Sequence, residues 1–127
     1  MPARSRPPSA DLVPAVRDAW SVAIRVGSKP HRLIRIWAVV VAGRVYARSW
    51  SLTPGGWYRT LVAEKHGLVQ AGRKAVPFRG VRARGEALRS AVDRAYLRKY
   101  ARPSEAHYAR DLCGARSRAT TVELQPE

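Results

Sequence analysis

Residues 33–50, LIRIWAVVVAGRVYARSW, decide the fold of this chain. The stretch first alternates between polar and apolar residues and is then apolar from Ile36 to Ala42, which predicts one long strand over 33–42. A continuous apolar half indicates burial on both faces, as in a central or barrel strand. A tight turn at Gly43 leads into a second alternating strand over 45–50, so the two segments form the clearest predicted β-hairpin.

Further strands and helices are expected on both sides of this hairpin. Before it, Ser9 is expected to cap a short helix through about Ala19, and residues 21–26 alternate as a strand does. After it, the pattern predicts a helix over 57–66 that Gly67 stops, strands over 68–71 and 75–81, and a long helix over 82–100. A shorter helix over 104–112 and a strand over 118–124 complete the chain. Pro77 marks the 75–81 strand as an edge or bulged strand.

This order predicts an α+β fold, with a closed or nearly closed antiparallel sheet and helices around it. Leu88, Val92, Tyr96 and Tyr100 recur every fourth residue and give the long helix one apolar stripe. With 127 residues, we expect one domain over 9–127 after a flexible basic tail over 1–8.

Composition points to a cytoplasmic protein without a membrane segment. The apolar run from Ile36 to Ala42 is far shorter than the roughly 20 residues that a membrane helix needs. The basic, proline-rich start is not followed by the apolar region of a signal peptide. A single cysteine, Cys113, cannot form an internal disulfide and fits a reducing compartment.

The charge is large: 24 basic against 9 acidic residues give a formal net charge of +15. Such a charge attracts polyanions, including nucleic acid and phosphorylated ligands. The arginines are spread almost evenly from Arg4 to Arg118, so a general background charge and a dedicated nucleic-acid face both stay open.

No catalytic or metal-binding constellation is predicted. On a helix, six residues place Cys113 and His107 on different sides, so we expect a buried and inert thiol. The three histidines lie far apart and lack familiar metal-ligand spacing. Glu64 and Asp93 are expected to be surface counter-ions of neighbouring arginines, with Asp93 pairing Arg89 across one helical turn.

Residues 48–59 form the one candidate binding site. Arg48 and Ser49 end a predicted strand, Gly55 and Gly56 bring free backbone amides to a helix start, and Arg59 lies in its first turn. Amides, a helix dipole and two arginines suit a phosphate group. Nearby rings suit a planar ligand, although they could equally fill the core; these are Trp37, Trp50, Trp57 and Tyr58.

The chain resembles an uncharacterised bacterial family, that of domain of unknown function 2255, which is related to the flavin-binding split barrels. The resemblance covers roughly residues 10–126 and is strongest in the Trp37 strand, in 57–59 (WYR), in Tyr96-x-x-Lys99-Tyr100 and in 118–121 (RATT). It implies a six-stranded Greek-key barrel, often dimeric, with FMN or a deazaflavin coenzyme near the subunit interface. It also implies that Arg48, Ser49 and the segment from Gly56 to Arg59 lie where such proteins hold the cofactor phosphate.

Three functions follow as hypotheses. The first is a protein that binds FMN or deazaflavin through a basic phosphate site, as a homodimer, and that could act as an oxidoreductase. The ring would perform the chemistry, in contact with Trp37, Trp50 and Tyr58. The second is a nucleic-acid-binding module that stacks bases on Trp50, Trp57 and Tyr58. The third is a cofactor-less interaction domain.

Overall fold

The long apolar stretch forms two strands rather than one. A computed structural model describes residues 8–27, 33–50 and 56–127. Within these ranges the strands are β1 (Val22–Val26), β2 (Ile34–Ile36), β3 (Ala38–Val41), β4 (Arg44–Ala47), β5 (His66–Ala71), β6 (Lys74–Arg82) and β7 (Val122–Pro126). The helices are α1 (Pro8–Asp18), α2 (Trp57–Glu64), α3 (Glu86–Lys99), α4 (Ala106–Asp111) and α5 (Ala115–Arg118).

The described strands form one antiparallel sheet in the order β2-β1-β5-β6-β7-β4-β3. Its two outer members, β2 and β3, are separated in sequence only by Trp37. The first half of one extended stretch therefore pairs with β1 while the second half pairs with β4. The backbone at Trp37 joins the two ends of the sheet, which makes a nearly closed barrel of six strand positions and confirms the predicted α+β architecture.

Apolar side chains fill the barrel and also cover part of its outside. The inner cluster combines strand residues such as Ile24 and Phe78 with Leu12 of α1 and Leu61 of α2. A second cluster lies between the β3–β4 hairpin and the helices α3 and α4, and it includes Val39 and Tyr46. The predicted stripe of α3 is confirmed, because all four of its members lie in or against this second cluster: Leu88, Val92, Tyr96 and Tyr100.

Several predicted boundaries were wrong. Helix α2 ends at Lys65, which adopts the left-handed conformation (φ 71°) that Gly67 was expected to supply. Gly67 instead lies in β5, where a Cβ would come within 2.6 Å of the Arg25 carbonyl oxygen. Pro77 lies neither on an edge strand nor at a bulge, because β6 lies between β5 and β7 and its register with β5 runs without interruption through Pro77. Helix α5 was not predicted. Of the predicted basic tail (1–8), Pro8 begins α1 and residues 1–7 lie outside the described residues, as does the 28–32 loop.

Among the described residues, no helix has the length and apolar character needed to cross a membrane.

The end of α2 is fixed directly onto the barrel. The Lys65 amide donates to the Leu61 carbonyl at 2.7 Å, and the Gly80 amide of β6 donates to the Lys65 carbonyl at 2.8 Å. A Cβ built on Gly80 would lie 2.6 Å from Cγ of Leu61 and 2.7 Å from both of its δ carbons. The absence of a side chain at Gly80 therefore lets α2 pack against β6.

We expect Gly80→Ala to lower the free energy of unfolding by about 1–3 kcal/mol, because the new methyl group overpacks Leu61. The measurement is urea denaturation of Gly80→Ala, Leu61→Ala and the double variant. Leu61→Ala alone should cost about 2–5 kcal/mol, and in that background Gly80→Ala should cost little, because the clash is gone. An equal cost in both backgrounds would show that Gly80 and Leu61 do not compete for space.

Candidate functional site

Arg48 directly follows β4 and is almost completely buried, at 1% exposure. Its Nε donates to Oγ1 of Thr121 at 2.8 Å, and its two terminal nitrogens donate to the carbonyls of Leu112 and Arg89, each at 2.9 Å. One terminal nitrogen also pairs with the Asp93 carboxylate. The guanidinium therefore joins the end of β4 to α3, to the residue after α4 and to the residue before β7.

Asp93 extends this network toward the surface. The expectation that it pairs with Arg89 as a surface counter-ion was wrong, because its partly buried carboxylate binds Arg48 and Arg118. Arg118 Nε lies 3.1 Å from Asp93 Oδ2, and another nitrogen of Arg118 lies 2.6 Å from Glu86 Oε2. The hydrogen bond from Arg118 lowers the pKa of Glu86 and raises the pKa of Arg118 itself. Two carboxylates and two guanidiniums thus hold α3 and the α5–β7 junction together.

Tyr96 links Arg48 to the interruption between β2 and β3. Its hydroxyl accepts from the Arg48 amide at 3.0 Å and donates to the Trp37 carbonyl at 2.7 Å. Burial raises the pKa of Tyr96 above its usual value, so the hydroxyl stays protonated and keeps its donor. The backbone at Trp37 and the end of β4 are therefore tied to the same side chain of α3.

Trp37 lies at the centre of an aromatic cluster. Its ring stacks on Tyr100 with centroids 3.9 Å apart and an interplanar angle of 3°. Edge-to-face contacts join it to Trp20 and Trp50, each at 5.5 Å, and to Tyr108 at 6.5 Å. Trp20, Trp50 and Tyr108 are 40%, 41% and 48% exposed, so the cluster begins in the core and ends as an aromatic surface.

A pocket of about 250 Å³ lies beside this cluster, between α1, β3 and α3. Three apolar residues and three cations line it: Val39, Val40, Ala95, Arg17, Arg98 and Lys99. Val39 and Trp37 belong to the same outer apolar cluster, and Lys99 Nζ lies 5.4 Å from the centre of the Tyr100 ring that stacks on Trp37. The pocket therefore adjoins the aromatic cluster through Lys99 and Tyr100.

Lys99 is held in this pocket by main-chain carbonyls. Its Nζ donates to the carbonyls of Val16 at 2.9 Å and Ala38 at 2.7 Å, which ties α1 to β3. Desolvation lowers the pKa of Lys99 to about 8, against a smaller opposing effect of Asp18. A neutral amine keeps two hydrogens for the two carbonyls, whereas the ammonium form has a third hydrogen for a ligand.

The structure brings some predicted site residues together and separates others. Trp37 and Trp50 are in contact, and Arg48 and Ser49 meet the start of β7, where the Ser49 amide donates to Thr120 Oγ1 at 2.8 Å. Because Arg48 is bound by internal partners, its geometry gives it a structural role. Its role as a phosphate ligand stays a prediction, as does that of the buried Ser49.

The other predicted residues lie on α2 and before it. The Tyr58 hydroxyl donates to the Ala119 carbonyl at 3.3 Å, and Trp57 packs edge-to-face on Tyr58 at 6.3 Å. Gly56 is the N-cap residue of α2, and Arg59 is exposed on that helix. Gly55 lies outside the described residues, so the paired-glycine site stays a prediction.

The pocket cations were missed because no local spacing marks them. Arg17 lies on α1, while Arg98 and Lys99 lie more than 80 positions later on α3. The Tyr96-x-x-Lys99-Tyr100 segment was the available signal. At helical spacing these residues share one side of α3, where the two tyrosines meet Trp37 and the lysine meets β3.

Cys113 is the single thiol of the chain. The Cys113 sulfur is partly buried, and desolvation raises its pKa, which disfavours the thiolate that nucleophilic catalysis needs. In the part of the chain that the structure describes, no group of three or more potential ligands is placed to hold a metal ion.

The barrel belongs to the split-barrel class. It is similar to a crystal structure from Listeria innocua, of a protein provisionally described as a pyridoxamine 5′-phosphate oxidase. The TM-score is 0.60, the sequence identity is 8%, and the alignment covers 94% of this chain and 93% of the other. An identity this low supports the fold alone.

The chain belongs to the domain of unknown function 2255 family, described as uncharacterised protein conserved in bacteria, whose sequence model matches residues 16–124. No curated protein sequence matches this chain significantly.

Arg48→Met is expected to lower the free energy of unfolding by about 3–5 kcal/mol, because it leaves Asp93 and buried carbonyl groups without their partner. Arg48→Lys should recover little of the lost stability, since one ammonium group cannot replace the several hydrogen bonds of a forked guanidinium. Urea denaturation measures the losses. The control is Arg44→Met, which breaks a 3.5 Å pair with Glu123 at a side chain that is 62% exposed and should cost less than about 1 kcal/mol. Similar losses at Arg44 and Arg48 would contradict the central role of Arg48.

Lys99 should make stability depend on pH. Its folded-state pKa of about 8 lies below its ordinary value of 10.5, so between these values the unfolded chain binds a proton that the folded chain does not. Its contribution to the free energy of unfolding should therefore rise from about pH 8 toward pH 10.5 and be constant below pH 8. Subtracting the unfolding curves of Lys99→Met from those of the wild type at each pH isolates this contribution. A difference that falls with pH in this window would refute the lowered pKa.

Proposed function

We propose that this protein binds a flavin-type cofactor, FMN or a deazaflavin coenzyme, at the pocket between α1, β3 and α3. The observation that carries the proposal is that Lys99, which lines the three-cation pocket, lies 5.4 Å from the centre of the Tyr100 ring, which stacks on Trp37. A flavin with a phosphate-bearing side chain presents the same two chemistries, an anionic end and a planar ring. The split-barrel fold and the resemblance to flavin-binding split barrels make these cofactors the first ligands to test.

The donor set fits a phosphate group. Arg17 and Arg98 are in no ion pair or side-chain hydrogen bond with another described residue, so their guanidiniums can bind phosphate oxygens bidentately. Lys99 is already held by two carbonyls and adds its third hydrogen when protonated. No acidic residue is among the residues that line the pocket. The phosphate-bearing end of the ligand would therefore bind here.

The aromatic side chains fit the ring. Trp50 and Trp20 flank Trp37 and expose about two fifths of their surface, which leaves apolar faces available to a planar ligand. Arg102 lies 5.5 Å from the centre of the Trp20 ring and adds a cation at the border of this surface. The ring of the ligand would cover this aromatic surface.

A bound flavin supplies hydride or electron transfer through its own ring, which would make the protein an oxidoreductase. The protein would contribute binding, orientation and exclusion of water. Arg17 and Arg98 would fix one end of the ligand and the tryptophans the other. No side chain of the described pocket needs to act as an acid or a base in this arrangement.

The test is titration of the purified protein with FMN, riboflavin and the deazaflavin coenzyme, followed by tryptophan fluorescence and the visible spectrum. FMN should bind near micromolar concentration and riboflavin roughly tenfold to hundredfold more weakly, because riboflavin lacks the phosphate. Arg98→Ala should lower the affinity for FMN to the affinity for riboflavin. Arg116→Ala removes the same charge at an exposed position outside this pocket and should leave FMN binding unchanged.

The absence of FMN and deazaflavin binding would overturn the proposal. In that case the exposed aromatic surface would favour the second candidate, a cofactor-less interaction domain whose partner is a second copy of the chain. Sedimentation of the same samples would then separate a homodimer from a monomer. If Arg98→Ala leaves FMN binding unchanged, the proposed function stands and the phosphate binds elsewhere on the protein.

A further inference from the structure

A second groove of about 310 Å³ lies between the end of α2 and the second half of β6. Four of its seven lining residues are cationic: Lys65, Arg79, Arg82 and Arg84, beside Val62, Gly80 and Val81. It shares no lining residue with the pocket at Lys99. The proposed flavin site therefore does not account for it.

Main-chain contacts fix the shape of this groove. Lys65 ends α2 in the left-handed conformation, and its carbonyl accepts from the Gly80 amide at 2.8 Å. Leu61 packs directly over Gly80, where a Cβ would not fit. The backbone of Lys65 is thus held against β6, next to the strand positions that carry Arg79 and Arg82.

No counter-ion of the four cations lies among the described residues. Across residues 8–27, 33–50 and 56–127, none of them is in an ion pair or a side-chain hydrogen bond. Nearby carboxylates are used elsewhere, since Glu123 pairs with Arg44 and Glu127 pairs with His66. Four like charges around one opening repel one another and produce a strongly positive local potential, which a bound anion would relieve.

We propose that this groove is a binding site for a small, phosphate-dense anion, such as the di- or triphosphate group of a ligand. Four cations in one groove match several closely spaced negative charges better than they match a single carboxylate. Proteins that bind single-stranded nucleic acid combine a basic groove with aromatic stacking platforms, and the lining described here includes no aromatic ring. The recognition would therefore rest on the phosphates.

The probe is inorganic tripolyphosphate, titrated by calorimetry at low ionic strength into the full chain. Two double variants with equal charge loss are compared with the wild type: Arg82→Ala/Arg84→Ala in the groove, and Arg73→Ala/Arg116→Ala at exposed positions that line neither the groove nor the pocket at Lys99. Tripolyphosphate should bind the groove variant roughly tenfold to hundredfold more weakly than the wild type. The control variant should bind it within about twofold of the wild type, because its two arginines lie outside the groove. A thermal denaturation curve for each variant confirms that it is folded.

Equal weakening in both variants would overturn the proposal, because it would assign binding to the net charge of +15 rather than to a site. A thymidine oligonucleotide provides the second arm. If the oligonucleotide binds more tightly than tripolyphosphate, and the groove variant weakens that binding, then the ligand of the groove is nucleic acid rather than a small anion. The outcome of the tripolyphosphate titration does not depend on that of the flavin titration, because FMN binding is assigned to Arg17 and Arg98, which do not line the groove.

Discussion

A guanidinium group buried at 1% exposure can be tolerated only where its donors find acceptors, and Arg48 finds them on three other parts of the chain. Its charge is balanced by Asp93 of α3, while a threonine hydroxyl before β7 and two main-chain carbonyls accept its other hydrogens. The same α3 supplies Tyr96, which holds the backbone at Trp37. The position of α3 on the barrel, and with it the outer apolar cluster, therefore depends on satisfying one buried cation.

The candidate cofactor site is a consequence of that arrangement. Once α3 is docked, Tyr100 stacks on Trp37 and Lys99 reaches the carbonyls of α1 and β3. The helix α1, the strand β3 and the helix α3 then enclose a pocket whose cations come from both helices. The interruption of the long strand at Trp37 has two effects, since it closes the barrel through the backbone and turns an indole toward the outer surface.

The fold could be predicted from the sequence because strand alternation, glycine turns and the stripe of α3 are local patterns. The divided strand could not, since nothing in IRIWAVVV shows that its halves pair with different neighbours. Lys65 was missed as the end of α2 because a left-handed non-glycine residue is uncommon. The candidate site was predicted only in its aromatic part, through Trp37 and Trp50. Its cations depend on the packing of both α1 and α3 on β3, which leaves no local signal.

The charge of +15 illustrates how little a total says about function. The basic residues differ in how far their charge is balanced by internal partners. Arg48 is buried and fully engaged, and Arg118 is held by two carboxylates, so neither cation can attract a ligand without losing an internal partner. The groove beside Gly80 and the pocket beside Lys99 each gather several cations whose charge no described residue balances. Since unbalanced charges that lie close together gain most from a phosphate, these two places are the candidate anion sites of the described structure.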